Sequence, residues 1–155
     1  KNGKQGIIKA KMNSLVDPNI IQLLYEASCH GVKIDLVVRG MCCLYPKRKG
    51  LSENINVISI IGRFLEHSRV YWFANNGNPE AYLGSADWMR RNLDRRVEAV
   101  APIDSPKHRK KLEELLKLYL NDNRESWEMQ SDGSFLQRQP KTEIKCAQKS
   151  LIELW

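Results

Sequence analysis

The sequence contains no C-x-x-C pair. Its four cysteines are Cys29, Cys42, Cys43 and Cys146, and the adjacent Cys42 and Cys43 point to opposite faces if that stretch is extended. This pattern suggests neither a zinc ribbon nor a disulfide framework, and reduced thiols in a cytoplasmic protein are the expectation. Long apolar runs are missing too. None reaches the ~20 residues that span a bilayer, so any membrane association is expected to come through the full-length protein. The first six residues, Lys1 to Gly6, hold neither an initiator methionine nor the apolar segment of a signal peptide. A soluble piece of a longer protein is therefore expected. Internal repeats and low-complexity blocks are also lacking.

What is present is enough for one domain. A chain of 155 residues buries roughly two thirds of its unfolded surface without staples. Its formal charge of +7 is unevenly spread. Residues 1–120 carry 20 Lys and Arg against 12 Asp and Glu, and residues 121–155 carry 5 against 6. The basic field thus belongs to the first part, and it favours polyanions: nucleic acid, nucleotides, polyphosphate or anionic lipid.

The run from Ile7 to Met12 reads as extended. Asp17-Pro18 supplies an N-cap and first helical residue for a helix to about His30, with Ile20, Ile21, Leu23, Leu24 and Ala27 as its apolar stripe and Gly31 as its stop. Val32 to Val38 is a β-branched run suited to a strand buried on both faces. Strand, helix and strand make a βαβ unit. After a loop holding Pro46 to Gly50, Ile55 to Ile61 reads as another strand, followed by Val70 to Ala74, Ala81 to Leu83 and Val97 to Ala101. Asn75 to Pro79 is dense in turn formers and reads as a hairpin connection. Pro106 to about Tyr119 predicts a long helix opening on the basic cluster Lys107 to Lys111, which reads as a solvated face. The chain from Asn121 to Pro140 is polar and turn-rich, and Cys146 to Trp155 predicts a short closing helix. The expected class is α/β, a mixed sheet of about six strands flanked by helices. Residues 1–120 are expected to form the main domain, with 121–155 an extension packed on it.

The stretch Glu66-His67-Ser68-Arg69 carries the most chemistry. On an extended chain, residues two apart share a face, so His67 and Arg69 can present an imidazole and a guanidinium together. Such a pair suits phosphoryl transfer: histidine attacks phosphorus or protonates a leaving oxygen, and arginine neutralises the equatorial oxygens. Alone the pattern also fits a structural histidine.

Downstream lie Gly84-Ser85-Ala86-Asp87 and Arg96-Val97-Glu98. With His67-Ser68-Arg69 they resemble the phospholipase D superfamily motif, H-x-K, G-S-x-N and N-x-E, with Arg for Lys, Asp for Asn and Arg for Asn. The aspartate of that motif has no counterpart near Ala74. A carboxylate at Asp87 would repel phosphate unless paired, so an arginine partner is expected. These departures are similar to those of the polyphosphate kinases of the first type, in their carboxyl-terminal phospholipase-D-like domain. The stretches Lys11 to Asp17, Val38 to Leu44, Gly50 to Ile55, Ser59 to Arg69 and Ser85 to Glu98 carry the resemblance, almost unbroken from Ile8 to Ile103.

The resemblance implies a magnesium-dependent, reversible transfer of the terminal phosphate of ATP to polyphosphate. The phosphohistidine would sit in a preceding phospholipase-D-like domain, and magnesium mainly outside this chain. His67 would be the supporting histidine, in an acid/base or phosphate-stabilising role. Arg39 and Arg96 would contact phosphate; Arg69, Lys11 and Asn13 would contact phosphate or pair structurally. Glu98 would orient a histidine or pair with Arg95 or Arg96. No metal ligand is expected in the chain. Trp72, Phe73 and Trp88 are expected in the core. The resemblance further implies a homo-oligomeric full-length enzyme and an inactive isolated fragment. The alternatives are a homodimeric phospholipase-D-like phosphodiesterase or nuclease, and a non-enzymatic polyanion-binding module.

Overall fold

A computed structural model describes residues 6–140 and 142–154. The amino-terminal stretch Lys1 to Gln5 and the terminal Trp155 of the expected last helix lie outside the described residues. In chain order the elements are β1 (Ile7–Met12), α1 (Pro18–Cys29), β2 (Lys33–Val38), β3 (Ile55–Ile60), β4 (Arg69–Phe73), β5 (Glu80–Gly84), α2 (Arg90–Arg95), β6 (Val100–Pro102), α3 (Pro106–Leu120), β7 (Ser126–Met129), β8 (Phe135–Gln137) and α4 (Ala147–Leu154).

The strands form one mixed sheet in the order β6-β5-β4-β1-β2-β3-β7-β8. Parallel pairing of β1 with β2 and of β2 with β3 makes its centre, and the remaining neighbours are antiparallel. Among the described residues the sheet has eight strands rather than about six. The two extra ones, β7 and β8, come from the polar stretch after Asn121. They are short and sit at one side of the sheet, and β8 is exposed along its whole length. Their order comes from pairing with β3 and with each other, for which the sequence carries no apolar alternation.

Helix α1 starts as its sequence dictates. Asp17 accepts a hydrogen bond from the Ile20 amide at 2.9 Å, and Pro18 occupies the first turn. Gly31 follows the helix at φ +81°, a conformation that costs glycine no Cβ clash. The buried stripe is Ile21, Leu24 and Ser28, whereas Leu23 is 62% exposed. Spacing of three and four residues selects that stripe, so Leu23, one position off it, faces out.

Alternation along the central strands divides the core in two. Ala10, Met12, Leu36, Val38, Val57 and Tyr71 pack with Ile21 and Leu24 of α1. Val37, Ile58 and Ile60 pack with Tyr119 of α3 and Ala147 of α4, and Val70 and Trp72 with Leu116 of α3. Trp72 is buried, whereas Phe73 and Trp88 are partly buried and pack against the core, Trp88 stacking on Tyr71 with ring centroids 5.0 Å apart.

The loops that leave the carboxyl ends of β1, β2 and β5 are bound together. Leu15 bridges to both Cys42 and Trp88, the amides of Val16 and Asp17 donate to the Trp88 carbonyl at 2.8 and 2.9 Å, and the Gly40 amide donates to the Asn13 carbonyl at 2.7 Å. Because β4 runs antiparallel to β1, its first residue, Arg69, arrives at this same edge. Open α/β sheets bind ligands at such an edge.

Candidate functional site

Asp87 is the hub of the edge. Arg69 donates to it twice, Nε to Oδ1 at 3.1 Å and Nη2 to Oδ2 at 3.0 Å, so the expected arginine partner is present. The Asn13 backbone amide donates to Oδ1 at 2.7 Å, and the Asn13 side-chain amide reaches both oxygens. Burial on its own would raise the Asp87 carboxyl. The hydrogen bonds from Arg69 and Asn13 and the Arg69 charge outweigh it and hold the carboxyl below the ordinary carboxylate range. The carboxylate that would repel phosphate is thereby neutralised.

Asn13 links this hub to Arg39. Its Oδ1 accepts from Arg39 Nε at 3.2 Å. Arg39 sits just past the end of β2 and is partly exposed, and among the described residues no hydrogen bond engages its two terminal amino groups. Those groups form a fork suited to phosphate.

The remaining donor of Arg69, Nη1, contacts His67 at the backbone carbonyl (3.1 Å) and at ring Nδ1 (3.2 Å). A guanidinium has no lone pair to offer, so Nδ1 is the acceptor in this contact and the neutral ring carries its proton on Nε2. His67 is exposed and precedes β4, which begins at Arg69. The structure thus brings imidazole and guanidinium together, and commits the guanidinium to orienting the imidazole.

Lys11 is almost fully buried, at 1% exposure. Its ammonium pairs with Glu66 Oε2 at 3.2 Å and donates to the Ser68 hydroxyl and carbonyl at 2.9 and 3.2 Å, above the ring of Tyr119. Burial lowers its pKa; Glu66 opposes that shift, and the charges of Arg39 and Arg69 add to it. All three ammonium donors are therefore committed inside the protein.

Glu98 lies between α2 and β6. It accepts from the Ser85 hydroxyl and the Asn92 amide, bonds that hold its carboxyl below the ordinary range, with the charges of Arg96 and Arg69 assisting. His67 is not among its hydrogen-bond partners. Arg96 is exposed beside it. Among the described residues, the cationic donors left open at this edge include Arg39 and Arg96, with the His67 Nε2 proton, while Arg69, Lys11 and Asn13 hold the frame.

The carboxylates described at this edge are engaged with the protein's own donors. Asp87, Glu98 and Glu66 each use both carboxylate oxygens on protein donors, and the groups left open at the edge are cations. Away from the edge, Asp122, Glu125 and Cys146 bring ligand atoms within 4.8 Å of one another, but both oxygens of Asp122 accept backbone amides.

Sequence reasoning missed Glu66, Ser68, Ser85 and Asn92. The contacts of Glu66 run to Lys11 and to Gln148, the latter 82 positions away, and no local pattern announces such a pairing. Ser85 and Asn92 stand within the quoted motif stretch, where proximity to Glu98 was the available signal. No helix among the described residues is long and apolar enough to cross a membrane.

Comparison with known proteins agrees with this geometry. The sequence profile of the family described as polyphosphate kinase C-terminal domain 2 matches residues 1–149. A polyphosphate kinase of Prochlorococcus marinus (strain MIT 9313) is 69% identical over 157 residues, covering 100% of this chain and 22% of that protein. The chain therefore spans about a fifth of the length of that relative. The crystal structure of polyphosphate kinase from Porphyromonas gingivalis superposes with a TM-score of 0.93 at 38% identity, over 97% of this chain and 23% of that one. A phospholipase D family member, Nuc from Salmonella typhimurium, superposes at 0.61 with 17% identity, over 84% and 85% of the two chains, a likeness of fold alone.

Proposed function

This chain belongs to the polyphosphate kinase C-terminal domain 2 family, and we propose that it forms the carboxyl-terminal, phospholipase-D-like half of an ATP:polyphosphate phosphotransferase. The observation that carries the reading is the division of cations at the sheet edge. Arg39 and Arg96 keep open donors, while Arg69 is locked on Asp87 and His67. A phosphodiesterase of the superfamily would need its motif's lysine and aspartate, neither of which is present. In its own site this chain supplies an aspartate neutralised by Arg69, with Arg39 and Arg96 open, instead.

The terminal phosphoryl group of ATP passes to a histidine on the preceding domain, forming an N–P bond as the bond to the ADP oxygen breaks. A terminal oxygen of polyphosphate then attacks phosphorus, and the N–P bond breaks. Arg39 and Arg96 neutralise charge on the non-bridging oxygens throughout. His67 holds its Nε2 proton toward the oxygen that gains charge and donates a hydrogen bond to it. Lys11 and Arg69 add positive field without direct contact, and Asn13 aims Arg39. Glu98 sets the position of the Ser85 to Asn92 stretch next to Arg96. Magnesium would arrive with the phosphates or through the other domain. Residues 121–155 belong to the same unit as 1–120, the full-length enzyme is a cytoplasmic homo-oligomer, and this chain alone does not turn over.

The test is ATP-dependent polyphosphate synthesis by a full-length kinase carrying this domain. His67→Ala is expected to lower kcat by about 100-fold or more, in the range for a positioned acid/base group, and residues 1–155 alone are expected to be inactive. A His67→Ala enzyme that keeps full turnover would remove His67 from the mechanism, and cleavage of a phosphodiester by the isolated chain that depends on His67 would replace this reading with the nuclease one.

A further inference from the structure

We infer that Gln148 on the carboxyl-terminal helix is a positioning residue for His67, so that the tail takes part in building the reactive edge; this rests on the reading of His67 above.

The segment between β3 and β4, residues 61–68, has no regular secondary structure. Its backbone must nevertheless deliver His67 reproducibly to a phosphate. Gln148, in the first turn of α4 and 5% exposed, does for it what a neighbouring strand would do. Its Oε1 accepts the Phe64 amide at 2.9 Å, and its Nε2 donates to the Phe64 carbonyl at 2.8 Å. The same Nε2 donates to Glu66 Oε1 at 2.8 Å. The other oxygen of Glu66 takes Lys11, whose ammonium also grips Ser68. The Lys11 ammonium also sits over the ring of Tyr119 of α3, 5.0 Å from its centroid. The two residues flanking His67 are thus fixed on the protein side, and the ring between them faces out.

At Gly62 the segment passes close to the side-chain ends of Glu125 and Gln148. A Cβ there would meet Glu125 Oε2 at 2.1 Å and Gln148 Oε1 at 2.6 Å, distances that real Cβ atoms do not reach. Ile61 adds a backbone bond to the Glu125 carbonyl at 3.1 Å. Only an amide side chain of glutamine length answers the Phe64 peptide with an acceptor and a donor together. Methionine has the length without the bonds. Glutamate would lose the donors and set a second carboxylate against Glu66.

The experiment uses a full-length polyphosphate kinase carrying this domain, with Gln148→Met, Gln148→Glu, His67→Ala and the Gln148→Met/His67→Ala double variant. Outer residues that orient a reacting group typically cost about 10- to 100-fold, so Gln148→Met is expected to lower kcat by that factor with KM for ATP changed less than about threefold. In the His67→Ala background the same substitution is expected to cost nothing further, because the residue it positions is gone. Relative to wild type at each pH, Gln148→Glu is expected to recover activity as the pH falls and its carboxyl regains a proton to donate. That profile carries the test should Gln148→Met not fold. A Gln148→Met enzyme within twofold of wild-type kcat, or one whose loss adds in full to that of His67→Ala, overturns the inference while leaving the role of His67 standing. A His67→Ala enzyme with wild-type kcat overturns both.

Discussion

Arg69 clasps Asp87 in a fork, with Nε 3.1 Å from Oδ1 and Nη2 3.0 Å from Oδ2. Both side chains are largely buried, at 13% and 7% exposure. Phosphate needs an uncompensated cation, and a carboxylate at this edge would cancel one. The fork resolves the conflict by pairing the acid with the arginine that orients His67, leaving Arg39 and Arg96 open.

Removing the acid should expose its structural role. Asp87→Ala leaves the Arg69 charge buried without a partner, a change that typically costs about 3–5 kcal/mol. Urea unfolding is expected to show a lower midpoint at unchanged slope. The pH dependence has a definite sign. The folded carboxyl titrates below its unfolded value, so its contribution is complete above the ordinary aspartate pKa of about 3.9 and is lost as the pH falls through the depressed folded value. Asp87→Asn should remove that part of the acid sensitivity. An Asp87→Asn chain as acid-labile as wild type below pH ~4 would contradict the assignment.

The buried pair of Lys11 and Glu66, 3.2 Å apart, behaves differently when cut on one side or both. Lys11→Met strands the Glu66 carboxylate and should cost about 3–5 kcal/mol. Lys11→Met combined with Glu66→Gln removes both charges and keeps an acceptor for Gln148, and it should regain at least about 1 kcal/mol over the single variant. Chemical unfolding of the four proteins in the cycle measures this, and simple additivity would refute the coupling.

Open and committed arginines should separate in a binding assay. A charge-assisted hydrogen bond is worth about 1.5–3 kcal/mol, so Arg39→Ala should weaken tripolyphosphate binding roughly 10- to 100-fold and flatten its salt dependence. Arg39→Lys should recover little, since an ammonium cannot reproduce the fork. Arg69→Ala should lower stability along with affinity. Calorimetric titration at two salt concentrations distinguishes them. Equal affinity for wild type and Arg39→Ala would place the phosphate elsewhere.

Legibility in the sequence followed the range of the interaction. The strands of the sheet centre and both long helices carry their own periodicity and caps: Ile55 to Ile60, the Asp17-Pro18 start and the Pro106 start all stood in the local pattern. The two-residue spacing of His67 and Arg69 gave their contact, although His67 lies just before the strand. Asp87 demanded a cation by charge alone, but no sequence rule chose Arg69 from the chain's other arginines. Strands β7 and β8, the Glu66 pairing and the Gln148 clamp were out of reach, because each depends on partners brought together only by the completed sheet.

The last of these distant contacts sits at Asp122, which is fully buried. Its Oδ1 accepts the amides of Arg124, Glu125 and Ser126 at 2.9, 2.8 and 3.0 Å, and its Oδ2 accepts the amide of Ala147, the first residue of α4, at 2.7 Å. One carboxylate therefore starts both β7 and the helix that carries Gln148, and the helix amino terminus favours its charge. Asp122→Ala leaves four backbone donors without their acceptor, of which the Ser126 and Ala147 amides are buried; a buried unsatisfied donor costs about 1–3 kcal/mol, so a total loss of at least about 2 kcal/mol is expected. Hydrogen exchange should show protection falling first in residues 124–129 and 147–154, then in segment 61–68 as Gln148 withdraws, while β1 and β2 stay protected. An even loss of protection across the sheet would mean that Asp122 serves the whole fold and not the tail.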